Sequence, residues 1–204
     1  MMNFDINSID WKKGDGLVPV IVQDVLSLRV LMLGYVNAEA LQKTIESGFV
    51  TFFSRTKQRL WQKGETSGHV LHVREIKLDC DKDTLLILAE PQGPTCHLGM
   101  RTCFGADEKP SVSVIADLAA TIHQRRIAPA PNSYTAKLFA EGLTRIAQKV
   151  GEEGVETALA AATYSPDLAS EAADLLYHLF VLLEASDLDW QDVLKVLHER
   201  AQVK

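Results

Sequence analysis

Hydrophobic residues are spaced in two different ways along this chain, and the change comes near residues 105–112. Before that segment, β-branched, aromatic and leucine-rich runs alternate with turns, which is typical of strands. After it, apolar residues recur three and four positions apart, which is typical of amphipathic helices. The segment itself is polar, contains Gly105 and Pro110, and suits a linker. The spacing therefore predicts two domains, at 1–105 and 113–204, joined by a linker at 106–112.

The first half is predicted to be a β-rich α+β domain. One helix interrupts its strands, because Asn37 suits an N-cap, Ala40 and Leu41 begin a helical spacing, and Gly48 suits a C-terminal stop. The runs that predict strands cover residues 17–23, 27–36, 49–54, 69–79 and 84–89.

The second half is predicted to be an all-α bundle, because no run after the linker has strand character. Pro129 and Pro131 end its first helix, and Ser133 is placed to cap the second. A serine, a proline and an acid at 165–167 predict the start of another helix. The predicted helices lie at 111–124, from Ser133 through Ile146, from Ser165 and from Asp189.

Composition limits the classes of function. The 204 residues are 47% hydrophobic and 24% charged, with a net charge of −6, which predicts a soluble globular protein and disfavours nucleic-acid binding. Residues 1–11 lack the apolar core of a signal peptide, and no apolar run is long enough to span a membrane. We therefore expect a cytoplasmic protein with reduced thiols and no nucleic-acid or membrane partner. Domains of this size often gain burial by dimerising.

A short acidic motif, Asp79-Cys80-Asp81-Lys82-Asp83, follows the strand predicted at 69–79. If strand alternation continues through it, the aspartates share one face and Cys80 points the other way. Carboxylates suit a hard cation and a thiolate suits a soft one. The motif therefore indicates two different metal sites placed back to back.

The three cysteines of the chain are candidate ligands of a soft metal ion. Cys96 and Cys103 follow a turn rich in proline and glycine, so they are predicted to lie on a loop. Together with Cys80 they could form a three-ligand zinc site, which leaves a fourth position for water. Three buried apolar cysteines are the alternative. His97, beside Cys96, suits a ligand, a proton carrier or a surface residue equally well.

The segment from Trp61 to His69 joins two strand patterns and is a candidate phosphate-binding loop. Its glycines at 64 and 68 allow close approach of a backbone, and its polar side chains and amides suit an anion. A surface hairpin is the alternative, and His69 is equally suited to packing on a strand. The candidate anion-binding residues are Arg55, Lys63, Thr66 and Ser67.

Two acidic clusters lie on successive predicted helices. Residues three and four apart share a helix face, so each helix directs its carboxylates one way. Like charges repel at this distance, and a divalent cation such as Mg²⁺ would turn the repulsion into attraction and leave positions for phosphates. A solvated helix face is the alternative. The residues are Glu152, Glu153, Glu156, Glu171 and Asp174, with Lys149 one turn earlier as a phosphate contact.

These motifs resemble bifunctional enzymes of histidine biosynthesis, in which a phosphoribosyl-AMP cyclohydrolase is fused to a phosphoribosyl-ATP pyrophosphohydrolase. In the first half the resemblance rests on VTFFSRT at 50–56, LWQKGETSGH at 60–69, DCDKD at 79–83 and the cysteines at 96 and 103. In the second half it rests on NSYTA at 132–136, QKVGEEGVE at 148–156 and EAAD at 171–174. It covers almost the whole chain, and it implies an all-α domain of the nucleotide pyrophosphohydrolase type at the C-terminus.

The resemblance implies a pyrophosphohydrolase site that holds Mg²⁺ against the triphosphate of phosphoribosyl-ATP and places water at the α–β link. It also implies a cyclohydrolase site in which a zinc-activated water attacks C6 of the adenine ring. The family's cyclohydrolase is a homodimer whose zinc sites take cysteines from both subunits. His69 and His97 are the proton-carrier candidates, Glu152 and Glu153 the catalytic acids.

The remaining roles follow from the same resemblance. The implied ligands are Asp79, Asp81 and Asp83 for Mg²⁺, Cys80, Cys96 and Cys103 for Zn²⁺, and Glu152, Glu153, Glu156, Glu171 and Asp174 for Mg²⁺ in the second half. The implied nucleotide-binding residues are Arg55, Trp61, Lys63, Thr66, Ser67 and Lys149, and Lys63 is also a catalytic candidate.

Two rival functions use the same motifs. A house-cleaning nucleoside triphosphate pyrophosphatase fused to a zinc-binding module would prefer ordinary nucleoside triphosphates to phosphoribosyl-ATP. A non-enzymatic, zinc-stapled binding module would unfold in its first half when zinc is removed. The cysteine count disfavours the second rival, because closed structural zinc sites normally use four protein ligands.

Overall fold

The computed structural model describes residues 4–105 and 112–202. They form two compact units, of which one ends at Val114 and the other begins at Ile115. The first unit is β-rich α+β and the second is helical, so both predicted fold classes are confirmed. The linker predicted at 106–112 lies outside the described residues except for Val112, which is in a turn.

The first unit is built on a mixed four-stranded sheet and a separate hairpin. In its described part the strands are β1 Val18–Asp24, β2 Val30–Val36, β3 Thr51–Ser54, β4 Arg59–Gln62, β5 Leu71–Leu78 and β6 Leu85–Pro91, with helix α1 at Ala38–Ser47. The sheet order is β2-β1-β6-β5, and only the β1–β6 pair is parallel. β3 and β4 form the antiparallel hairpin. Five of these strands begin and end within three residues of the predicted runs.

Strand alternation places the core of this unit. Val18, Val20 and Val22 of β1 are fully buried, while the residues between them are partly exposed, as expected for a strand with one inward face. Leu85 and Ile87 of β6 are also fully buried, and the parallel register sets them beside Val20 and Val22. Burial of this apolar surface, at ~25 cal/mol per Å², is the main stabilising contribution to the sheet.

Helix α1 has the predicted boundaries. The Asn37 side chain accepts a hydrogen bond from the Ala40 amide at 2.8 Å, and Gly48 ends the helix in the left-handed conformation with φ of 75°. Inside the helix, the buried Thr44 hydroxyl donates to the Ala40 carbonyl at 2.9 Å and accepts from the Thr51 amide at 2.9 Å. This hydroxyl therefore ties α1 to the start of β3.

Strand β4 was not among the predicted strands. It pairs with β3 so that Trp61 lies opposite Phe52, and the two rings stack with centroids 5.6 Å apart. Its sequence, Arg-Leu-Trp-Gln, is only four residues long and does not alternate polar and apolar side chains, so it carries no periodic strand signal. The first two residues of the candidate phosphate loop, Trp61 and Gln62, thus belong to β4, and the rest of the loop follows the hairpin.

The strand predicted through Asp79 is wrong at its end. Strand β5 stops at Leu78, and residues 79–84 form a turn in which Lys82 has a φ of 68°. The Asp79 carboxylate closes this turn by accepting hydrogen bonds from the amides of Asp83 at 3.0 Å and Thr84 at 3.1 Å. Strand alternation therefore does not order the acidic motif; side-chain to backbone hydrogen bonds do.

All regular secondary structure in the described part of the second unit is helical. Its helices are α2 Ser113–Ile127, α3 Tyr134–Glu141, α4 Leu143–Ala162, α5 Leu168–Ala185 and α6 Trp190–Gln202. The predicted cap is confirmed at Ser133, which accepts from the Ala136 amide at 3.3 Å. The start of the first predicted helix at Ser111 lies outside the described residues.

Three helix boundaries differ from the prediction, and one of them is the end of α2, at Ile127 instead of residue 124. The helix expected to run from Ser133 through Ile146 breaks at Gly142, which has a φ of 88° and separates α3 from α4. The helix expected from Ser165 starts at Leu168 instead, because the Ser165 hydroxyl accepts from the Asp167 amide and closes a turn. Gly142 thus allows α4 to take a new direction after α3.

The buried core of the second unit is small. Its members are Ile122, Leu138, Ile146 and Val181, and α6 has no buried residue. Val155 and Leu159 of α4 are more than half exposed. Among the described residues, no helix has both the length and the apolarity required to cross a membrane.

Gly34→Ala is expected to destabilise the first unit. A Cβ at this β2 position would lie 2.4 Å from two ring carbons of Phe52, which is buried and stacked on Trp61 and has no free space to move into. Urea denaturation should show a free energy of unfolding lower by ~1–3 kcal/mol. Gly151→Ala in α4, where nothing lies within 4 Å, should instead add ~0.5–1 kcal/mol. A neutral Gly34→Ala would contradict the tight packing.

Candidate active sites

A cavity of about 430 Å³ lies in the first unit between the loop at 61–69 and the loop at 94–103. Its size is within the range of small-molecule sites. The wall brings together a cation, two thiols, two imidazoles and an indole ring. Among its residues are Met32, Trp61, Lys63, Gly64, Thr66, Ser67, His69, Thr95, Cys96, His97 and Cys103.

Lys63 is a buried cation in this wall, with 8% of its surface exposed. Burial lowers the pKa of its ammonium group, while the nearby thiols of Cys103 and Cys96 act in the opposite direction. Its Nζ is 3.5 Å from the His69 carbonyl oxygen. Gly64 permits this arrangement, because a Cβ there would lie 2.5 Å from the same carbonyl and φ is 87°. The candidate phosphate loop is therefore closed tightly around the lysine.

Cys96 and Cys103 lie together. Burial and a hydrogen bond with the Cys96 thiol raise the pKa of Cys103. The loop holds Cys96 by a bond from its own amide to the Met100 carbonyl at 2.9 Å, and Cys103 by a bond from its amide to the Leu31 carbonyl at 2.8 Å. The prediction of a loop at these cysteines is confirmed.

Cys80 does not join the other two thiols. It is exposed on the acidic turn and does not line the cavity, and no described group of three metal-binding side chains within 4.8 Å contains all three cysteines. Strand β6 lies between the turn and the cysteine loop, and a strand of seven residues is ~20 Å long. The structure therefore does not bring all three thiols into one site within a single chain.

The acidic motif does form a cluster, although not on a strand. Carboxylate oxygens of Asp79, Asp81 and Asp83 lie within 4.8 Å of one another. The Lys13 ammonium is 3.0 Å from the Asp81 carboxylate and 3.3 Å from that of Asp83. Partial desolvation acts to raise the pKa of Asp79. Hydrogen bonds from the amides of Thr84 and Asp83 act in the opposite direction and keep that pKa below its ordinary value. Sequence reasoning missed Lys13, whose contact spans 68 residues.

The other candidate nucleotide contacts divide into two groups. Trp61 and the half-buried His69 line the cavity, and Thr66, Ser67 and His97 are exposed at its rim. Arg55 does not line it, because its guanidinium lies 3.7 Å over the Tyr35 ring.

Carboxylates of α4 and α5 converge in the second unit. Oxygens of Glu153, Glu171 and Asp174 lie within 4.8 Å of one another, and Glu153 is buried. The Thr157 hydroxyl contacts the carbonyls of Glu153 at 2.7 Å and Glu171 at 3.0 Å, which fixes one helix against the other. The two acidic motifs therefore face each other, as the helical spacing predicts.

Charge on these carboxylates is only partly balanced. Lys149 lies 2.9 Å from Glu152 and 2.6 Å from Glu153, and these two acids raise its pKa. Among the described side chains Glu171 has no such cation: partial burial and then the charges of Glu156, Asp174 and Glu153 raise its pKa. Glu156 is exposed and lies outside the three-carboxylate group.

A buried histidine next to this cluster was not predicted as a site residue. His178 Nε2 is 3.1 Å from the Tyr134 hydroxyl, and Nδ1 is 2.9 Å from the Asp174 carbonyl and 3.7 Å from the Glu153 carboxylate. A histidine four residues after Asp174, within an apolar run, was the available signal. His178 therefore links α5 to Tyr134 of α3 and lies beside Glu153 of α4.

Both halves of the chain match known families. Residues 32–105 match the phosphoribosyl-AMP cyclohydrolase family, and residues 115–201 match the phosphoribosyl-ATP pyrophosphohydrolase family. Relatives described as histidine biosynthesis bifunctional protein HisIE are similar along nearly the whole chain. The one from Shigella flexneri is 59% identical over 195 residues, which is 95% of this chain and 96% of that protein. The one from Vibrio cholerae is 56% identical over 94% of this chain and 93% of that protein.

This chain belongs to the HisIE family. The Salmonella typhimurium member is also 58% identical over 95% of this chain. The resemblance inferred from the motifs is thereby confirmed for both halves. Because the first half matches a hydrolase family of its own, the rival in which it is an unrelated zinc-binding module is disfavoured.

Glu171→Gln is expected to stabilise the protein in EDTA at neutral pH. The folded state raises the pKa of Glu171 above its ordinary 4.5, so stability is lost as pH rises from 4.5 through the raised value. The gain from the amide should therefore be present above this window and absent below 4.5, as measured by thermal unfolding.

Glu152→Gln is the matched control on α4. Lys149 first, and then Arg145, lower the pKa of Glu152, so its carboxylate stabilises the fold above the ordinary pKa and the benefit is lost as pH falls. This variant should melt at a lower temperature than wild type at neutral pH. A lower melting temperature for Glu171→Gln as well would refute the charge repulsion.

Proposed function

We propose that this chain catalyses two consecutive hydrolytic steps of histidine biosynthesis in the cytoplasm. The second unit hydrolyses phosphoribosyl-ATP to phosphoribosyl-AMP and pyrophosphate, and the first unit opens the adenine ring of phosphoribosyl-AMP at the N1–C6 bond. The observation that carries the proposal is the match of each unit to its own hydrolase family, with a separate polar site in each. The product of one unit is the substrate of the other.

Glu153, Glu171 and Asp174 are the proposed Mg²⁺ ligands of the second unit, with Glu152 and Glu156 beside them. The donor set fits, because it consists of hard oxygens close enough to share one ion. When bound, Mg²⁺ would neutralise charge on the triphosphate. The raised pKa of Glu171 reflects a carboxylate that a cation would stabilise.

Lys149 is the proposed phosphate contact of this site. Its ammonium lies within 3 Å of Glu152 and Glu153, so a phosphate bound at the acids would be within its reach. Glu152 and Glu153 would orient the attacking water in line with the departing pyrophosphate. Pairing with Lys149 keeps both groups in place before the substrate arrives.

Cys96 and Cys103 are the proposed zinc ligands from one subunit, and Cys80 of a second subunit would complete the set. The adjacent soft thiols fit Zn²⁺, and the exposed Cys80 is suited to reach across a homodimer interface. When bound, Zn²⁺ would supply a water activated near neutral pH for attack at C6. The apolar side chains exposed on α4 also favour association.

The cavity wall supplies the remaining groups for ring opening. The Trp61 indole offers a flat surface for a purine, and the Lys63 ammonium with the Thr66 and Ser67 hydroxyls suits a phosphate. His69 and His97 are the proposed carriers of the proton to the ring nitrogen. Arg55 is left out, because it stacks on Tyr35 outside the wall.

The aspartates at 79, 81 and 83 are the proposed Mg²⁺ ligands of the first unit. They are hard oxygen donors within 4.8 Å of one another. Lys13 now balances their charge, and a bound ion would take over that contact.

Ligand substitutions should separate the two activities. Cys103→Ala is expected to reduce opening of the phosphoribosyl-AMP ring by at least ~10²-fold and to leave pyrophosphate release from phosphoribosyl-ATP intact. Glu153→Gln should have the reverse effect, because its carboxylate lies in the other unit. An absorbance time course for ring opening and a pyrophosphate assay measure the two steps.

The two variants serve as controls for each other. Chelation of zinc should reproduce Cys103→Ala in the wild-type chain. Loss of both activities in either variant would contradict separate sites. A strong preference for ordinary nucleoside triphosphates over phosphoribosyl-ATP would contradict the assigned substrate.

Mixing two inactive variants should restore ring opening if zinc sites are shared between subunits. In a mixed dimer of Cys80→Ala and Cys96→Ala chains, one of the two sites keeps every thiol. Refolding an equal mixture should therefore give about a quarter of wild-type activity, since half of the dimers are mixed. Variants refolded alone are the control, and a mixture that stays inactive would show that each site uses one chain.

A further inference from the structure

A buried hydroxyl without a hydrogen-bond partner lies in the wall of the first unit's cavity. Thr95 is 2% exposed and lines the cavity. Its Oγ1 is the one buried side-chain oxygen or nitrogen in the described chain that lacks a partner. Buried polar groups in folded proteins are nearly always paired, so an orphan in a site wall requires an explanation.

The other buried hydroxyls in the described part of this unit are paired. The buried Thr44 hydroxyl bonds to backbone groups on both sides, and the Thr102 hydroxyl donates to the Val30 carbonyl at 2.7 Å. Ser67 accepts from the His69 amide at 3.3 Å. A valine at position 95 would have nearly the shape of threonine without the unpaired group, so packing alone does not require the hydroxyl.

The surroundings of Thr95 indicate where the missing partner comes from. The next residue is Cys96, and the same wall contains Lys63, Cys103 and the Trp61 ring. A cation and an aromatic face suit a flat, anionic molecule, and the two thiols are the zinc ligands proposed above. The hydroxyl is therefore placed among groups that act on a ligand rather than on the protein.

We propose that Thr95 is a substrate-binding residue whose hydroxyl hydrogen-bonds to the nucleotide that fills this cavity. The proposal rests on the cyclohydrolase activity assigned above to the first unit. A hydroxyl both donates and accepts, so it can pair with a ring nitrogen or with an oxygen of the nucleotide. The hydrogen bond absent from the empty protein is made on binding, so it adds to recognition instead of to folding.

Thr95→Val in the full chain tests this. The substrate-free variant should melt at the wild-type temperature or above it, because the lost hydroxyl has no partner. Its kcat/KM for phosphoribosyl-AMP should fall ~10- to 100-fold. Zinc content and pyrophosphate release from phosphoribosyl-ATP should stay at the wild-type values. Thr95→Ser, which keeps the hydroxyl, should recover most of kcat/KM.

Thr44→Val is the matched control. It also removes a buried hydroxyl from the first unit, but one that is paired and lies on α1, outside the cavity wall. It should melt at a lower temperature than wild type and keep the wild-type kcat/KM in its folded fraction. Thr95→Val is thus expected to lose substrate recognition and keep its stability, and Thr44→Val is expected to lose stability and keep recognition.

Three results would overturn the proposal: a wild-type kcat/KM in Thr95→Val, a lower melting temperature, or a loss of zinc. The last two would show that the hydroxyl acts on the protein or its metal. A wild-type chain that does not open the ring at all would overturn the assigned cyclohydrolase activity itself, and Thr95 with it.

Discussion

The burial of β6 in the middle of the sheet is the constraint on which the sites of the first unit depend. Leu85 and Ile87 are fully buried, and β1 and β5 hydrogen-bond to the strand on both sides. The acidic turn precedes this strand and the cysteine loop follows it. A strand held on both edges and inside the core cannot shift, so it keeps the carboxylates and the paired thiols at separate ends.

The second unit depends on a different balance, in which two packed helices direct like charges at one another. The Thr157 hydroxyl holds α4 and α5 in register, and Lys149 compensates Glu152 and Glu153. Glu171 remains the uncompensated member. Folding therefore leaves electrostatic repulsion in the site, and an ion together with its phosphate ligand would remove it.

The predictions from sequence succeeded where the signal was local and failed where it was not. The caps at Asn37 and Ser133 were predicted because each acts on an amide three residues away. The grouping of the aspartates was expected from strand alternation, but hydrogen bonds to Asp79 bring it about. Gly142 ends a helix, whereas Gly151 and Gly154 lie inside one. Only the tertiary setting distinguishes Gly142 from these two glycines. The contact of Lys13 joins distant segments, which spacing cannot reveal.

The Lys13 ammonium gives the acidic turn a counter-ion that is part of the polypeptide. It contacts the carboxylates of Asp81 and Asp83 and also the Asp81 carbonyl, at 2.6 Å. The turn can therefore form during synthesis whether or not divalent ions are plentiful. If an ion binds there as proposed, it would replace an ammonium group that is already in place, and its loss would leave the hydrogen bonds of the turn intact.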